Sequence, residues 1–182
     1  MTTVSEHDLI ERLKHPKTRE EAFRVLVREN QERLYRHIRR IVLVHEDADD
    51  VVQNTFIKIW KGLEGFRGES KLSTWMYRIA TNEALSFLEK KKHELRINSE
   101  EAQDEMIARM KADPWFHGDE LQEAFQKAIL SLPEKQRLVF NMRYFEDIRY
   151  EEMSSLLDTS VGALKASYHF AAKKIEKYIR NL

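Results

Sequence analysis

The chain contains no cysteine, so neither a disulfide framework nor a thiolate metal site can be built from it, and a reducing compartment is permitted. Glycine and proline are scarce, at 5 and 3 of 182 residues. A sheet protein with many tight turns needs more of both, whereas an all-α chain with short connections does not. Long apolar runs are missing too. No stretch approaches the ~20 residues of a membrane span, and the opening segment, Met1 to Lys17, lacks the apolar core of a secretory signal. A soluble, cytoplasmic protein is expected. Net charge is also absent, because 31 Lys and Arg balance 31 Asp and Glu. A zero sum argues weakly against a nucleic-acid partner. There is no Ser/His/Asp arrangement, no phosphate-binding glycine loop and no second His/Glu pair to join His45 and Glu46 as metal ligands. No enzyme activity, cofactor, metal or small-molecule substrate is expected.

What the chain does have is charge in blocks. Hydrophobic residues make up 42% and charged ones 34%. Arg33 to Arg40, Glu89 to Arg96 and Lys165 to Arg180 are basic, while His45 to Asp50 and Ser99 to Glu105 are acidic. Blocks of both signs suit a protein that touches an acidic partner and a basic one. Apolar residues recur at helical spacing from Glu20 to Leu43, through Phe23, Leu26, Val27, Leu34, Ile38 and Ile41. A second helix is expected from about Glu46, with Val52, Phe56, Ile59, Trp60 and Leu63 on one face. Glu64 to Thr74 holds two glycines and reads as a loop. Ser73 or Thr74 then caps a helix whose core face includes Trp75, Ile79 and Leu85 or Leu88. Periodicity fades from Ile97 to Gly118, which reads as an acidic interdomain linker. Helical patterning resumes at Asp119, and Pro133 is expected at the first position of the next helix.

Tyr150 to Ile179 reads as a helix-turn-helix. Met153, Leu156 and Leu157 face inward on the short first helix. Asp158 tolerates the left-handed backbone such a turn demands, and Ser160 can cap the second helix. At ~100° per residue, Val161, Leu164, Tyr168, Ala171, Ile175 and Ile179 form one stripe. The opposite side carries Gly162, Ala163, Ala166, Phe170, Lys173 and Lys177. Small side chains let a helix sink into a major groove, and lysines meet phosphates as it leaves. From the pattern alone, an ordinary helical hairpin with a solvated lysine face fits equally well.

Two stretches together carry a family resemblance. Asp47 to Lys92 resembles the second conserved region of bacterial sigma factors, and Leu132 to Ile179 resembles their fourth. The gap between them is too short for a third domain. The chain is therefore similar to the extracytoplasmic-function subgroup of the sigma-70 family, over about four-fifths of its length. The resemblance implies an all-α fold of two small helical domains: residues 1–96 as region 2, residues 119–182 as region 4, and 97–118 as a flexible linker. It implies core RNA polymerase, through its β′ coiled coil and β flap, as one partner, promoter DNA as another, and an anti-sigma factor as a third. Asp47, Asp50, Gln53 and Asn54 would dock on polymerase. Phe66, Arg67, Ser70, Lys71, Leu72, Ser73, Arg78 and Asn82 would capture melted DNA at the downstream promoter element, with Lys90 to Lys92 on backbone phosphates. Ser160, Gly162, Ala163, Lys165, Ala166, His169, Phe170 and Lys173 would meet the upstream element, helped by Arg143 and Arg149. The sequence departs from the family where Ala163 replaces a common Thr and where Ser167 and Phe170 replace common arginines. That loss weakens guanine readout. The linker acids Glu100, Glu101, Asp104 and Glu105 either imitate nucleic-acid charge or keep the segment soluble. Trp115 and Phe116 are expected to pack on the second domain, and Phe66 and Phe170 to be covered by the anti-sigma factor. The alternative is a helix-turn-helix regulator that acts without polymerase. Promoter sequence and inducing signal are not legible.

Overall fold

The computed structural model describes residues 5–95, 108 and 120–181. Among them are eight α-helices, one 3-10 turn and no strand. The expected linker, with its acids, Trp115 and Phe116, lies outside the described residues except for Ala108.

The first bundle is built from α1 (Glu6–Lys14), α2 (Arg19–Val42), α3 (His45–Gly62) and α4 (Leu72–Leu95). Ser5 starts α1 by accepting a hydrogen bond from the Asp8 amide at 3.1 Å. Leu9 and Leu13 are the buried positions of that helix. Along α2, Leu26, Leu34, Ile38 and Ile41 are buried as their spacing requires, joined by Ala22 and His37. The helix stops at Leu43, a buried residue in the left-handed region at φ 70°, whose amide closes on the Arg39 carbonyl. A bulky residue there costs backbone energy that its burial offsets. Glu46 and Asp47 complement the positive end of α3. Its buried face is Ala48, Val51, Thr55 and Ile59, while Val52, Phe56 and Trp60 flank it half-buried.

The expected core face of α4 is found in part: Leu88 is buried, and Trp75, Ile79 and Leu85 pack half-buried against the same core, but the centre of the buried stripe is Met76, Ala80 and Ala84. Small alanines allow close helix approach, so the centre of contact falls on them instead of on the largest side chains. The expected cap at Ser73 or Thr74 is corrected, since Leu72 already belongs to the helix. The Leu72 amide donates instead to Glu6 Oε1 at 2.8 Å. A residue from the distant α1 thus caps α4.

The second bundle comprises α5 (Glu120–Leu130), α6 (Glu134–Tyr144), α7 (Tyr150–Leu157) and α8 (Val161–Arg180). Pro133 sits one position earlier than expected, as the residue flanking α6. Phe140 stacks on Tyr144 at 5.1 Å and on Tyr168 at 5.6 Å, which pins α6 to α8. In the turn between α7 and α8, Asp158 takes φ 48° and ψ 47°, and Ser160 accepts from the Ala163 amide at 3.3 Å. Leu164, Ala171 and Ile175 are buried, with Val161, Tyr168 and Ile179 half-buried beside them.

The bundles pack against each other. One buried cluster runs from Ile38, Ile41, Ala80 and Leu88 of the first to Leu138, Met142, Met153 and Leu156 of the second. A polar seam borders it. Arg40 Nη1 donates to Glu146 Oε1, the Tyr77 hydroxyl donates to Glu146 Oε2 at 3.2 Å, and Asn141 Nδ2 donates to the Arg40 carbonyl at 3.3 Å.

Candidate nucleic-acid interface

Three surfaces draw together most of the residues singled out from the sequence. The first is α8. Gly162, Ala163, Lys165, Ala166, His169, Phe170 and Lys173 are exposed along one side of it, with Ser160 at its start. Their arrangement follows from the apolar stripe: once Leu164, Ala171 and Ile175 turn inward, these residues must turn outward. Phe170 is 55% exposed, an unusual place for a phenyl ring. His169 packs edge-on against it at 5.9 Å. Lys165 leans over the Tyr150 ring at 5.8 Å. Of the two auxiliary arginines, Arg149 is exposed, whereas Arg143 pairs with Asp147 at 2.5 Å.

The second surface is the loop before α4. A 3-10 turn at Leu63–Gly65 leads into it, and Gly68, at φ 74°, makes the bend. Arg67, Lys71, Arg78 and Asn82 are exposed, and Ser70 and Ser73 are half-buried. A cleft of about 340 Å³ is lined by Phe66, Arg67, Ser70, Trp75 and Arg78, and also by Ser155 of the second bundle. Phe66 and Leu72 are buried, and of the two only Phe66 forms part of the cleft wall. Phe66 is only 6% exposed and its ring lies 5.1 Å from that of Trp75, while Leu72 is buried in the core. Both pack with the core, because the short loop turns its apolar members inward to cover the end of the bundle, and Phe66 borders the cleft without being exposed.

The third surface lies along α3. Asp50, Gln53 and Asn54 are exposed and border a cleft of about 370 Å³ with Phe87, Lys90 and Lys91. Asp47 differs, because Lys91 donates to its Oδ2. That pair ties α3 to α4, so Asp47 and Lys91, expected on polymerase and on backbone phosphates, engage each other here, and the Lys92 side chain lies outside the described residues. Ile57, one turn beyond Gln53, is 50% exposed and extends this surface. Its position off the buried stripe was the signal that sequence reading passed over. Among the described residues no group of His, Asp or Glu could hold a metal ion.

Residues 26–94 match the family profile for sigma-70 region 2, and residues 122–175 match that for sigma-70 region 4. The chain belongs to the sigma-70 family. Within it, the chain is similar to members of the extracytoplasmic-function subgroup. It is 30% identical over 171 residues to the ECF RNA polymerase sigma factor SigW of Bacillus subtilis, covering 90% of this chain and 91% of the relative. It is 29% identical over 190 residues to the RNA polymerase sigma-H factor of Pseudomonas aeruginosa, covering 100% and 97%. Its fold resembles that of the sigma factor RpoE in a co-crystal structure with the anti-sigma factor NepR from Bartonella quintana. That likeness has a TM-score of 0.68 at 20% identity and covers 87% of this chain and 96% of the other. The α3 surface and the loop before α4 fall within region 2 of this sigma factor, and the exposed side of α8 falls mostly within region 4. The region 2 match favours a sigma factor over a regulator that acts without polymerase. Among the described residues no helix is long and apolar enough to cross a membrane.

Proposed function

We propose that this sigma factor works by a division of surfaces. Residues 1–96 dock on core RNA polymerase and hold melted promoter DNA. Residues 119–182 bind the upstream element, and 97–118 connect them. The α3 surface of Asp50, Gln53 and Asn54, extended by Ile57, meets a basic polymerase surface. Arg67, Ser70, Lys71, Ser73, Arg78 and Asn82 hold the opened strand at the loop cleft, where the bundled aromatics behind it leave room for a base. On α8, Ser160, Gly162, Ala163, Lys165, Ala166, His169, Phe170 and Lys173 enter the major groove. Exposed Leu121 and Tyr144 on the second bundle fit an apolar contact with the polymerase flap. An anti-sigma factor, as in the co-crystal complex of the structural relative, covers some of these surfaces at rest. The protein acts in the cytoplasm and catalyses nothing itself.

The observation that supports this reading is the pairing, in one chain, of an exposed polar face on α3 with a helix-turn-helix whose second helix has an outward side that is small at one end and basic at the other. Each DNA-facing surface is small and the net charge is zero, so polymerase has to fix the spacing between them. Tethering then makes the second contact intramolecular. Run-off transcription with purified core enzyme tests the proposal. Promoter-specific transcripts that need this protein are expected. The protein alone should bind duplex promoter poorly, and core polymerase should restore binding with strong salt dependence. Nanomolar binding by the lone protein at physiological salt would contradict the division.

A further inference from the structure

We propose that Glu6 and Arg19 are positioning residues for strand capture, which fix the two ends of the loop before α4 from outside it. The proposal rests on the assignment of that loop to the opened strand.

The loop lies between two helix ends. The closing turn of α3 leaves backbone carbonyls without helical partners, and the opening turn of α4 leaves amides without them. Both are met from the corner of α1 and α2. Arg19 Nη2 donates to the Trp60 carbonyl at 2.8 Å, and Glu6 Oε1 accepts from the Leu72 amide at 2.8 Å. The charges suit their places, a cation at the negative end of α3 and an anion at the positive end of α4. Arg19 reaches further. Its Nη1 donates to Glu64 Oε1 at 2.6 Å, in the 3-10 turn that enters the loop, and its guanidinium lies 4.3 Å from the Trp60 ring centre. One planar fork thus holds a carbonyl, a carboxylate and a ring, which a point-like ammonium cannot do.

Arg19's own helix gives no reason for it. It is the first residue of α2, where a cation opposes the dipole, and its Nε is buried without a partner among the described residues. Both features cost stability, and what offsets them lies across the fold, on Trp60 and Glu64. The corner that carries the two residues is anchored. Thr18 Oγ1 donates to the Arg12 carbonyl at 2.8 Å, and Leu9 and Leu13 are buried in the same cluster as Leu63, Phe66 and Leu72. Between the held points the chain bends at Gly68 and leaves Arg67 and Lys71 exposed. The wall behind is closely set: a Cβ on Gly62 would come within 2.9 Å of the Trp75 ring, so this glycine lets the indole lie against the end of α3. Neither Glu6 nor Arg19 falls within residues 26–94, which match region 2. A loop ordered in advance loses less conformational freedom when a strand binds.

The test assembles core polymerase with the full chain in four forms: wild type, Glu6→Gln, Arg19→Met, and Glu6→Ala/Arg19→Met. The probes are a single-stranded fragment of the downstream element from a promoter active in the run-off assay, and a duplex carrying only its upstream element. Arg19→Met should bind the single strand about tenfold more weakly, as the competent fraction of the loop falls. The double variant should bind it more weakly still. Glu6→Gln keeps an acceptor oxygen and should match wild type. All forms should bind the duplex and core polymerase equally. Undiminished single-strand affinity in the double variant overturns the proposal. Equal loss on both DNAs also overturns it, because the damage would then be general. Hydrogen exchange in the free chain decides the same point without DNA. Amides from Gly65 to Leu72 should exchange faster in the double variant while those of α8 stay as in wild type. Unchanged loop exchange, or faster exchange everywhere, overturns the brace. If the wild-type complex binds the single strand no better than Arg67→Ala does, the assignment of the loop fails, and exchange alone decides the brace.

Discussion

The imidazole of His37 and the hydroxyl of Thr81 lie 2.8 Å apart, sealed between α2 and α4. Burial, aided by the charge of Arg40, pushes the His37 pKa down from 6.5 to about 3. The folded protein therefore keeps this ring neutral where the unfolded chain takes up a proton. Stability from the pair is intact above about pH 6.5. It falls as pH drops toward 3, by at most ~1.4 kcal/mol per pH unit. Melting temperature followed by circular dichroism should decline between pH 7 and 4.5. His37→Gln should flatten that decline by one proton's worth. An identical slope in both proteins would remove His37 as its source.

Asp50 and Asp47 are near neighbours with different fates, one exposed and one paired with Lys91. Asp50→Arg should abolish capture of core polymerase while leaving helix content unchanged. Asp47→Asn should keep most of the capture, because its carboxylate faces α4. Equal loss in both would extend the docking surface to the start of α3. Unchanged capture in Asp50→Arg would remove the surface altogether.

On α8, Lys173 and Phe170 should separate affinity from readout. Lys173→Ala in the polymerase complex should weaken binding to all promoters alike and reduce the salt slope by about 1. Phe170→Ala should leave the melting temperature nearly unchanged, since the ring is already exposed, but should alter preference among upstream sequences. An apolar ring at this position is suited to contact with a thymine methyl, so a shift in thymine preference is the expected outcome. Promoter-library selection measures this, and an unaltered preference would count against a groove contact.

Glu6 caps α4 from outside region 2 proper. Glu6→Ala should cost ~1 kcal/mol of stability, the usual worth of a cap. It should also slow promoter opening, read from the reactivity of unpaired thymines, without changing core binding. If opening is unaffected, the cap steadies the bundle without shaping the loop.

The elements of the fold were legible where periodicity was strong. The α8 stripe from Val161 to Ile179, the left-handed Asp158 and the Ser160 cap all follow from local chemistry, and each is found. The faces of α4 were harder. Its contact centre lies on Ala80 and Ala84, which hydropathy weighs less than Trp75 or Ile79. Glu6 as a cap and Glu146 as a seam residue could not be read at all, because each acts on a partner far along the chain. The burial of Phe66 was hidden for a related reason: an aromatic in a glycine-bearing loop looks exposed in the sequence, but the loop folds over its own bundle and leaves the ring in the cleft wall. Arg67, Arg78 and the exposed side of α8 could be placed because the buried residues beside them leave only one direction outward.

The second bundle divides its apolar residues between two clusters. Ala128, Ile129, Leu132, Phe140, Ala171 and Ile175 form its own, whereas Leu138, Met142, Met153 and Leu156 belong to the one it shares with the first. A body of ~60 residues buries only ~60% of its unfolded surface even when its interior is complete, which leaves little stability to spare. Truncation between the halves is therefore not a neutral operation, for an isolated tail would carry a raw, water-facing flank and tend to clump. Whatever pulls the halves apart in the working assembly has to offer that flank a new home.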